Sequence, residues 1–326
     1  MSKKFSTLTL TILLCFSLVA CKSETSKAKT SQGLTYEIYD TGGKKITQDL
    51  TKTPTKVTVI GQSIAEMMAY FDLENRIQSI SYLEDQTITN KKLKDIPVLA
   101  KLWPTKEVLI AQDTDLIYSL TTAFDDDRIG SIDEWNTQGV PVVTTSNYAI
   151  GKSIPNYLDE IRLMGKLFQI ENKTNKFIET QEKREQKIKE QSKALNTQPS
   201  VLLIATDGRG HYYYYPRNFS LVDEMVEGSG GKYLELSDTY LEISLEAVIK
   251  DNPDYILFTA FQSDNQEDYL KSLLNNQNLQ NVTAIKNKAL LEIDYIQATR
   301  GDMNYMDLYE KIGHFIQPDL KIEASK

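Results

Sequence analysis

Two stretches of the chain repeat one pattern about 140 residues apart: Thr105-Lys106-Glu107-Val108-Leu109-Ile110-Ala111-Gln112-Asp113-Thr114-Asp115-Leu116-Ile117 and Ser244-Leu245-Glu246-Ala247-Val248-Ile249-Lys250-Asp251-Asn252-Pro253-Asp254-Tyr255-Ile256. In each copy a hydroxyl residue leads and a Glu follows two places on. Eight residues beyond the Glu, an Asp precedes an apolar run. Ser or Thr suits an N-cap, an acid in the first turn complements the helix dipole, and the apolar positions fall on one helical face. Each copy therefore reads as a short capped helix feeding a buried β-strand. The separation is too long for a solenoid repeat and matches a chain built from two similar lobes.

The N-terminus carries a second signal. Lys3 and Lys4 make a basic n-region, and residues 5–16 an apolar stretch too short to span a bilayer. Leu18-Val19-Ala20-Cys21 then has the form of a lipobox, in which the Cys21 thiol is lipidated and the chain is cut before it. The alternative is an ordinary secretory signal with an incidental Cys. The lipobox reading makes residues 1–20 a signal peptide and places the protein on the extracytoplasmic face of the cell membrane, held by its lipid. The Ser/Thr/Lys-rich stretch that follows has no apolar period and reads as a flexible tether over 21–33.

Of the two cysteines, Cys15 leaves with the signal and Cys21 is lipidated, so the folded body has no thiol for a disulfide, a zinc site or a nucleophile. About 300 residues bury enough core without cross-links. Loss of residues 1–20 removes two lysines and no acid, which moves the formal charge from −8 to −10. An acidic body argues against nucleic acid as a partner.

Along the chain, residues 34–40 alternate as a strand that Gly42-Gly43 turns back toward residues 45–47. Residues 56–61, 77–80 and 141–145 are short apolar runs interleaved with helical patterns, as in an α/β lobe with a mainly parallel sheet. Residues 157–168 keep helical spacing. Residues 174–195 contain no Gly or Pro, are dense in Lys, Glu and Gln, and predict a long, mostly exposed helix between the two repeat copies. Strand signals return at 201–205, 255–258 and 290–293, and an amphipathic helix spans 305–315. The expected fold is thus α/β: two similar lobes (34–171 and 198–326) with mainly parallel sheets, joined by a single long α-helix (172–197).

The segments "PTKVTVIGQSIAEMMAYFDLENRIQSI", "PTKEVLIAQDTDLIYSL", "YLDEIRLMGKLFQI", "LEAVIKDNPDYILFTA" and "YEKIGHFIQPD", in this order and spacing, resemble a class III substrate-binding lipoprotein of an ABC importer. This is the helical-backbone family that serves ferric siderophores, haem and vitamin B12. Asp72 departs from the family's usual Gly, and Thr114 from the usual Pro before Asp115. The resemblance implies a ligand cleft between the lobes and a monomer that binds an Fe(III)-siderophore or similar chelate there without a permanent cofactor and delivers it to an ABC permease. A haem or cobalamin receptor is the alternative within the family, and a surface enzyme the alternative outside it. It also implies that Glu107 and Glu246, one per lobe, dock onto permease arginines. The residues alone assign these acids a dipole role worth roughly 0.3–1 kcal/mol.

For the ligand, residues 208–218 stand out, with His211, four tyrosines over 212–215 and Arg217. Phenol rings stack on a planar, oxygen-rich ligand and a guanidinium neutralises an anionic one, so His211, Tyr213, Tyr215 and Arg217 are candidates, with Arg217 expected at the mouth of the cleft. Trp103, Arg128, Tyr148 and Arg300 are candidates from loops. The three aspartates 125–127 lack the alternating spacing of a calcium loop, and two histidines are few for a bare metal receptor. Residues 101–104 (Lys-Leu-Trp-Pro) lack the Met that haem receptors of this family often place before the first-lobe Glu. His211 remains the one candidate axial ligand. No motif of a nucleophile, phosphate loop or metalloprotease is present, so no catalytic residue and no metal ligand is assigned.

Overall fold

The computed structural model describes residues 33–321 apart from 86, 147–148, 207–210 and 262–265, so Cys21 and Tyr148 lie outside the described residues. The N-terminal strands β1 (Leu34–Tyr39) and β2 (Lys45–Leu50) form an antiparallel hairpin. The Asp40 carboxylate accepts from the Gly42 and Lys44 N–H groups and fixes the turn. Then come β3 (Val57–Ile60), α1 (Gln62–Tyr70), β4 (Ile77–Ser81), β5 (Val98–Ala100), α2 (Lys106–Ile110), β6 (Leu116–Ser119), α3 (Ile132–Thr137) and β7 (Val142–Thr144). The sheet runs β5-β4-β3-β6-β7 with every pair parallel. Every residue of β3 and β6 is buried, as strands covered on both faces require. The hairpin shields the β7 edge: Tyr36 Oη donates to the Val142 carbonyl, and Val142 N–H donates to Gln48 Oε1.

Helices α4 (Ile154–Phe168) and α5 (Glu171–Ser192) follow. Ser153 caps α4, and Gln169 ends it in the left-handed conformation. The 22 residues of α5 span about 33 Å. Its few apolar residues are its anchors. Phe177 meets Tyr70 and Phe71 edge-on, and Ile178 and Ile188 are buried.

The second sheet is built from β8 (Ser200–Thr206), β9 (Tyr212–Tyr214), β10 (Lys232–Tyr233), β11 (Leu241–Glu242), β12 (Tyr255–Ala260) and β13 (Leu290–Glu292). Its helices are α6 (Val222–Gly228), α7 (Leu245–Asp251), α8 (Gln266–Leu274), α9 (Thr283–Lys286), α10 (Tyr295–Thr299) and α11 (Tyr305–Ile316). Its order is β11-β9-β8-β12-β13, with β10 also on β8. Strands β8, β10, β12 and β13 pair in parallel, whereas β9 and β11 are antiparallel additions. Most of the tyrosine run is thus a strand of the sheet. Arg184 of α5 reaches α11, pairing with Asp307 (2.6 Å) and Glu310 (2.8 Å).

The repeated pattern is a structural repeat. Thr105 and Ser244 both cap their helices, accepting from Val108 N–H and Ala247 N–H. Asp113 and Asn252, each eight residues past its cap, both take the left-handed conformation. Val57 pairs with Leu116 in one lobe, and Val201 with Tyr255 in the other, each at the matching position. Even the Asp before the strand has one job in both copies. Asp115 accepts from Thr55 N–H (3.0 Å), Thr55 Oγ1 (2.9 Å) and Lys56 N–H (2.9 Å), and Asp254 accepts from Ser200 N–H (2.8 Å) and Ser200 Oγ (2.7 Å). Each carboxylate ties the start of one central strand to the start of its neighbour. Asp115→Ala and Asp254→Ala are expected to cost about 1–3 kcal/mol each, because backbone donors lose a charged acceptor. With no shared partner, the two losses should add within about 0.5 kcal/mol in urea unfolding. A loss under 0.5 kcal/mol for either variant would show that its tie does not hold the strand pair.

Candidate functional site

In open parallel sheets, ligands sit beyond the carboxyl ends of the strands, near the point where strand order reverses. In the first sheet that point lies between β3 and β6, where Gly61 adopts a φ of 136° that only glycine tolerates well. A Cβ there would also lie 3.2 Å from both Ile64 and Leu120.

The loops at these strand ends carry a continuous run of rings. The Arg128 guanidinium lies 4.3 Å over the Trp103 ring. Trp103 packs on Tyr82 (centroids 4.1 Å apart), Tyr82 on Phe261 (6.2 Å) and Phe261 on Tyr295 (5.2 Å). Tyr215 Oη bonds Tyr295 Oη at 3.3 Å, and Tyr240 links Tyr215 to Tyr213. The run starts in the first lobe and crosses to the second between Tyr82 and Phe261. Tyr82 has a φ of 58°, strained for an aromatic residue by about 1–2 kcal/mol. Its N–H faces the Ala100 and Leu102 carbonyls, which fix the loop.

Beneath the rings lies a layer of charge. Glu84 is wholly buried and accepts from Ser63 N–H and Oγ. Its charge partner is Arg300 of the other lobe, at 3.8 Å. Burial pushes the Glu84 carboxyl up, and Arg300 opposes that shift. Lys152, 3% exposed, pairs with Glu160 at 3.6 Å, and burial lowers its ammonium. Gly301, with a φ of 82°, lets the chain after Arg300 pass the Tyr157 ring, which a Cβ would approach to 2.9 Å.

Acids line the lobe junction beside this layer. Gln62 Nε2 donates to Glu66 and to Asp85. Burial raises the Asp85 carboxyl and the charge of Asp294 raises it further. Burial likewise raises Glu66. Asp302 is pushed up to about 6 by burial, although Gln297 Nε2 and Asn304 N–H donate to it.

Of the residues singled out in the sequence, Trp103, Arg128, Tyr213 and Tyr215 join the aromatic run, and Arg300 lies in the charged layer beneath it. His211 is exposed just before β9. Arg217 stands apart: its guanidinium is held by Glu227 and Glu235, and it lines a separate hollow with Ala149, Gly151 and Asp238. The sequence reading missed Tyr82, Phe261, Tyr295 and Tyr240. Tyr82 and Phe261 follow directly on β4 and β12, and Tyr295 comes three residues after β13, so an aromatic residue shortly past a parallel strand was the available signal. A cavity of about 730 Å³ lined by Asp113, Asp115 and Pro141 opens at the other ends of the first sheet's strands and is no part of this site. Among the described residues, no group of His, Cys, Asp and Glu is arranged to hold a metal ion, and no helix is long and apolar enough to cross a membrane.

A carboxyl whose pKa is raised in the folded state binds its proton more tightly there than in the unfolded chain. Its contribution to stability is therefore complete below about pH 4 and lost as pH rises through about 6. Unfolding measured between pH 4 and 7 is expected to show a loss of roughly 2–3 kcal/mol from Asp302. Asp302→Asn should remove that part of the slope. An unchanged slope would mean that Asp302 ionises freely.

No curated protein sequence matches this one. Among solved structures, the chain is similar to a periplasmic binding protein from Veillonella parvula, at 19% identity and a TM-score of 0.74 over 89% of this chain and 93% of the other. An ABC-type Fe3+-hydroxamate transport protein from Saccharomonospora viridis is 16% identical with a TM-score of 0.71, over 86% and 99%. The catecholate-siderophore binding protein VctP from Vibrio cholerae is 19% identical with a TM-score of 0.67, over 87% and 100%. The model of the periplasmic binding protein family matches residues 88–295. With two α/β lobes and a cleft across the strand ends, the chain belongs to the periplasmic binding protein family, whose members bind solutes for ABC transporters and are not enzymes.

Proposed function

We propose that this protein is a lipid-anchored receptor on the extracytoplasmic face of the membrane. It captures a ferric siderophore or similar iron chelate between its lobes and hands it to an ABC permease. The observation that carries this reading is the aromatic run over the strand ends of both lobes, from Trp103 to Tyr295. Rings from two lobes suit a ligand with flat, conjugated chelating groups, which stack on them. The ligand class follows two similar proteins, one from an Fe3+-hydroxamate transport system and one that binds a catecholate siderophore. Trp103, Tyr82, Phe261, Tyr295 and Tyr215 form the wall, and Arg128 and Arg300 are its cations. Cys21 carries the lipid.

Glu107 and Glu246 are the docking acids. Both are exposed at the starts of matching helices. Glu107's own backbone N–H and the Thr105 hydroxyl hold its carboxyl below the usual range, so it is charged when it meets an arginine. Each has exposed apolar neighbours on its helix, Val108 and Ile110 in one lobe and Ile249 in the other. A charge-assisted contact with an apolar border orients a partner and still releases it.

Titration with ferric chelates should quench the emission of Trp103. The other tryptophan, Trp135, is buried and should respond little. Trp103→Ala should abolish the quench and weaken binding about tenfold, as loss of one stacked ring implies. A Soret band on mixing with haem, or turnover of a substrate, would overturn the iron-chelate reading. Glu107→Ala with Glu246→Ala should leave chelate affinity unchanged and stop uptake in cells. Loss of binding, or undiminished uptake, would remove these residues from the docking surface.

A further inference from the structure

Building on that reading, we propose that Asp85 and Asp294 make the cleft a charge filter, which favours neutral or cationic iron chelates over those with net negative charge. Asp85 follows β4, three residues after Tyr82, and Asp294 follows β13 and directly precedes Tyr295. They flank the aromatic run from opposite lobes. Asp85 is fixed by Gln62, which donates to its carboxylate and accepts from its N–H, both at 3.1 Å. Asp294 caps α10 through Gln297 N–H at 2.9 Å. Neither makes a salt bridge among the described residues.

The cations of the cleft do not offset them. Arg128 brings its own carboxylate, Asp125, at 3.2 Å, and Arg300 is matched by the buried Glu84 at 3.8 Å. Among the described residues, the wall therefore carries excess negative charge. The guanidinium over Trp103 shows independently what such a wall accepts: a cation already sits on the first ring of the run, where the ring's negative face attracts it. A polyanionic chelate would lose its hydration to face two carboxylates, whereas a chelate with an ammonium arm would gain both carboxylates and the ring faces. Arg217, the remaining candidate counter-charge for a polyanion, is engaged by Glu227 and Glu235.

The test uses one linear trihydroxamate scaffold as its gallium(III) complex, with its terminal amine free, acetylated or succinylated. These forms carry charges of about +1, 0 and −1 at neutral pH on an unchanged metal centre. Titration of the purified protein at low ionic strength should rank them amine, acetyl, succinyl. Each step should be worth severalfold, the whole span about tenfold or more, and the span should shrink as salt is added. Asp85→Asn with Asp294→Asn should flatten the ranking while leaving the affinity of the neutral form within about twofold. A flat or reversed ranking in the natural protein, or a ranking that survives the double substitution, overturns the charge filter and leaves the iron-chelate function standing. So does binding of a gallium tris-catecholate when all three trihydroxamates are refused. If neither chelate class binds, the proposed function itself fails, and the filter with it.

Discussion

Glu84 is a carboxylate with no access to water, and its charge partner, Arg300, belongs to the other lobe. A buried ion whose partner is removed costs several kcal/mol, far more than the pair contributes when intact. The two lobes are therefore not free to drift apart at this point. Lys152 and Glu160 form a second buried pair beside it, with Ser146 completing the carboxylate's bonds. The aromatic run also crosses between the lobes, from Tyr82 to Phe261. The long helix adds a second tie, because Phe177 packs on α1 while Arg184 pairs with α11. Such a body suits small hinge adjustments rather than wide opening.

The charge around the cleft shows how local pairing changes the meaning of a residue. Arginines in an acidic protein look like counter-charges for an anionic ligand. In the folded molecule Arg128, Arg217 and Arg300 each meet carboxylates of the protein itself. The wall that results is rich in rings and acids. Burial keeps several of those acids protonated further toward neutral pH than usual, with Asp302 near 6. The junction is thus held by groups whose charge depends on how dry the lobes keep them.

Much of the fold was readable in the residues, because it rests on short-range rules. N-caps at Thr105 and Ser244, an acid in the first turn, apolar runs and a long stretch without Gly or Pro each act within a few residues and need no knowledge of the rest. The repeat goes further: the same offsets that match the two sequences also match their caps, left-handed residues and strand registers. Antiparallel pairing of the tyrosine strand was not readable, since Tyr212 to Tyr214 alternate equally well in either direction.

The sequence by itself determined the class of architecture, the two-lobe period, the exposed helix between the repeat copies and the first-turn placement of Glu107 and Glu246. All of these follow from periodicity and capping. Only the tertiary structure decided which side chains form the aromatic run. Trp103 and Tyr82 are about twenty residues apart in the chain, and Phe261 and Tyr295 come from the other lobe. They become neighbours because parallel strands deliver their following loops to one edge of each sheet. The tertiary structure also decided that Arg217 is occupied and that Asp85 feels the charge of Asp294 from the other lobe. Electrostatic partnership depends on distance through space, and a sequence records only distance along the chain.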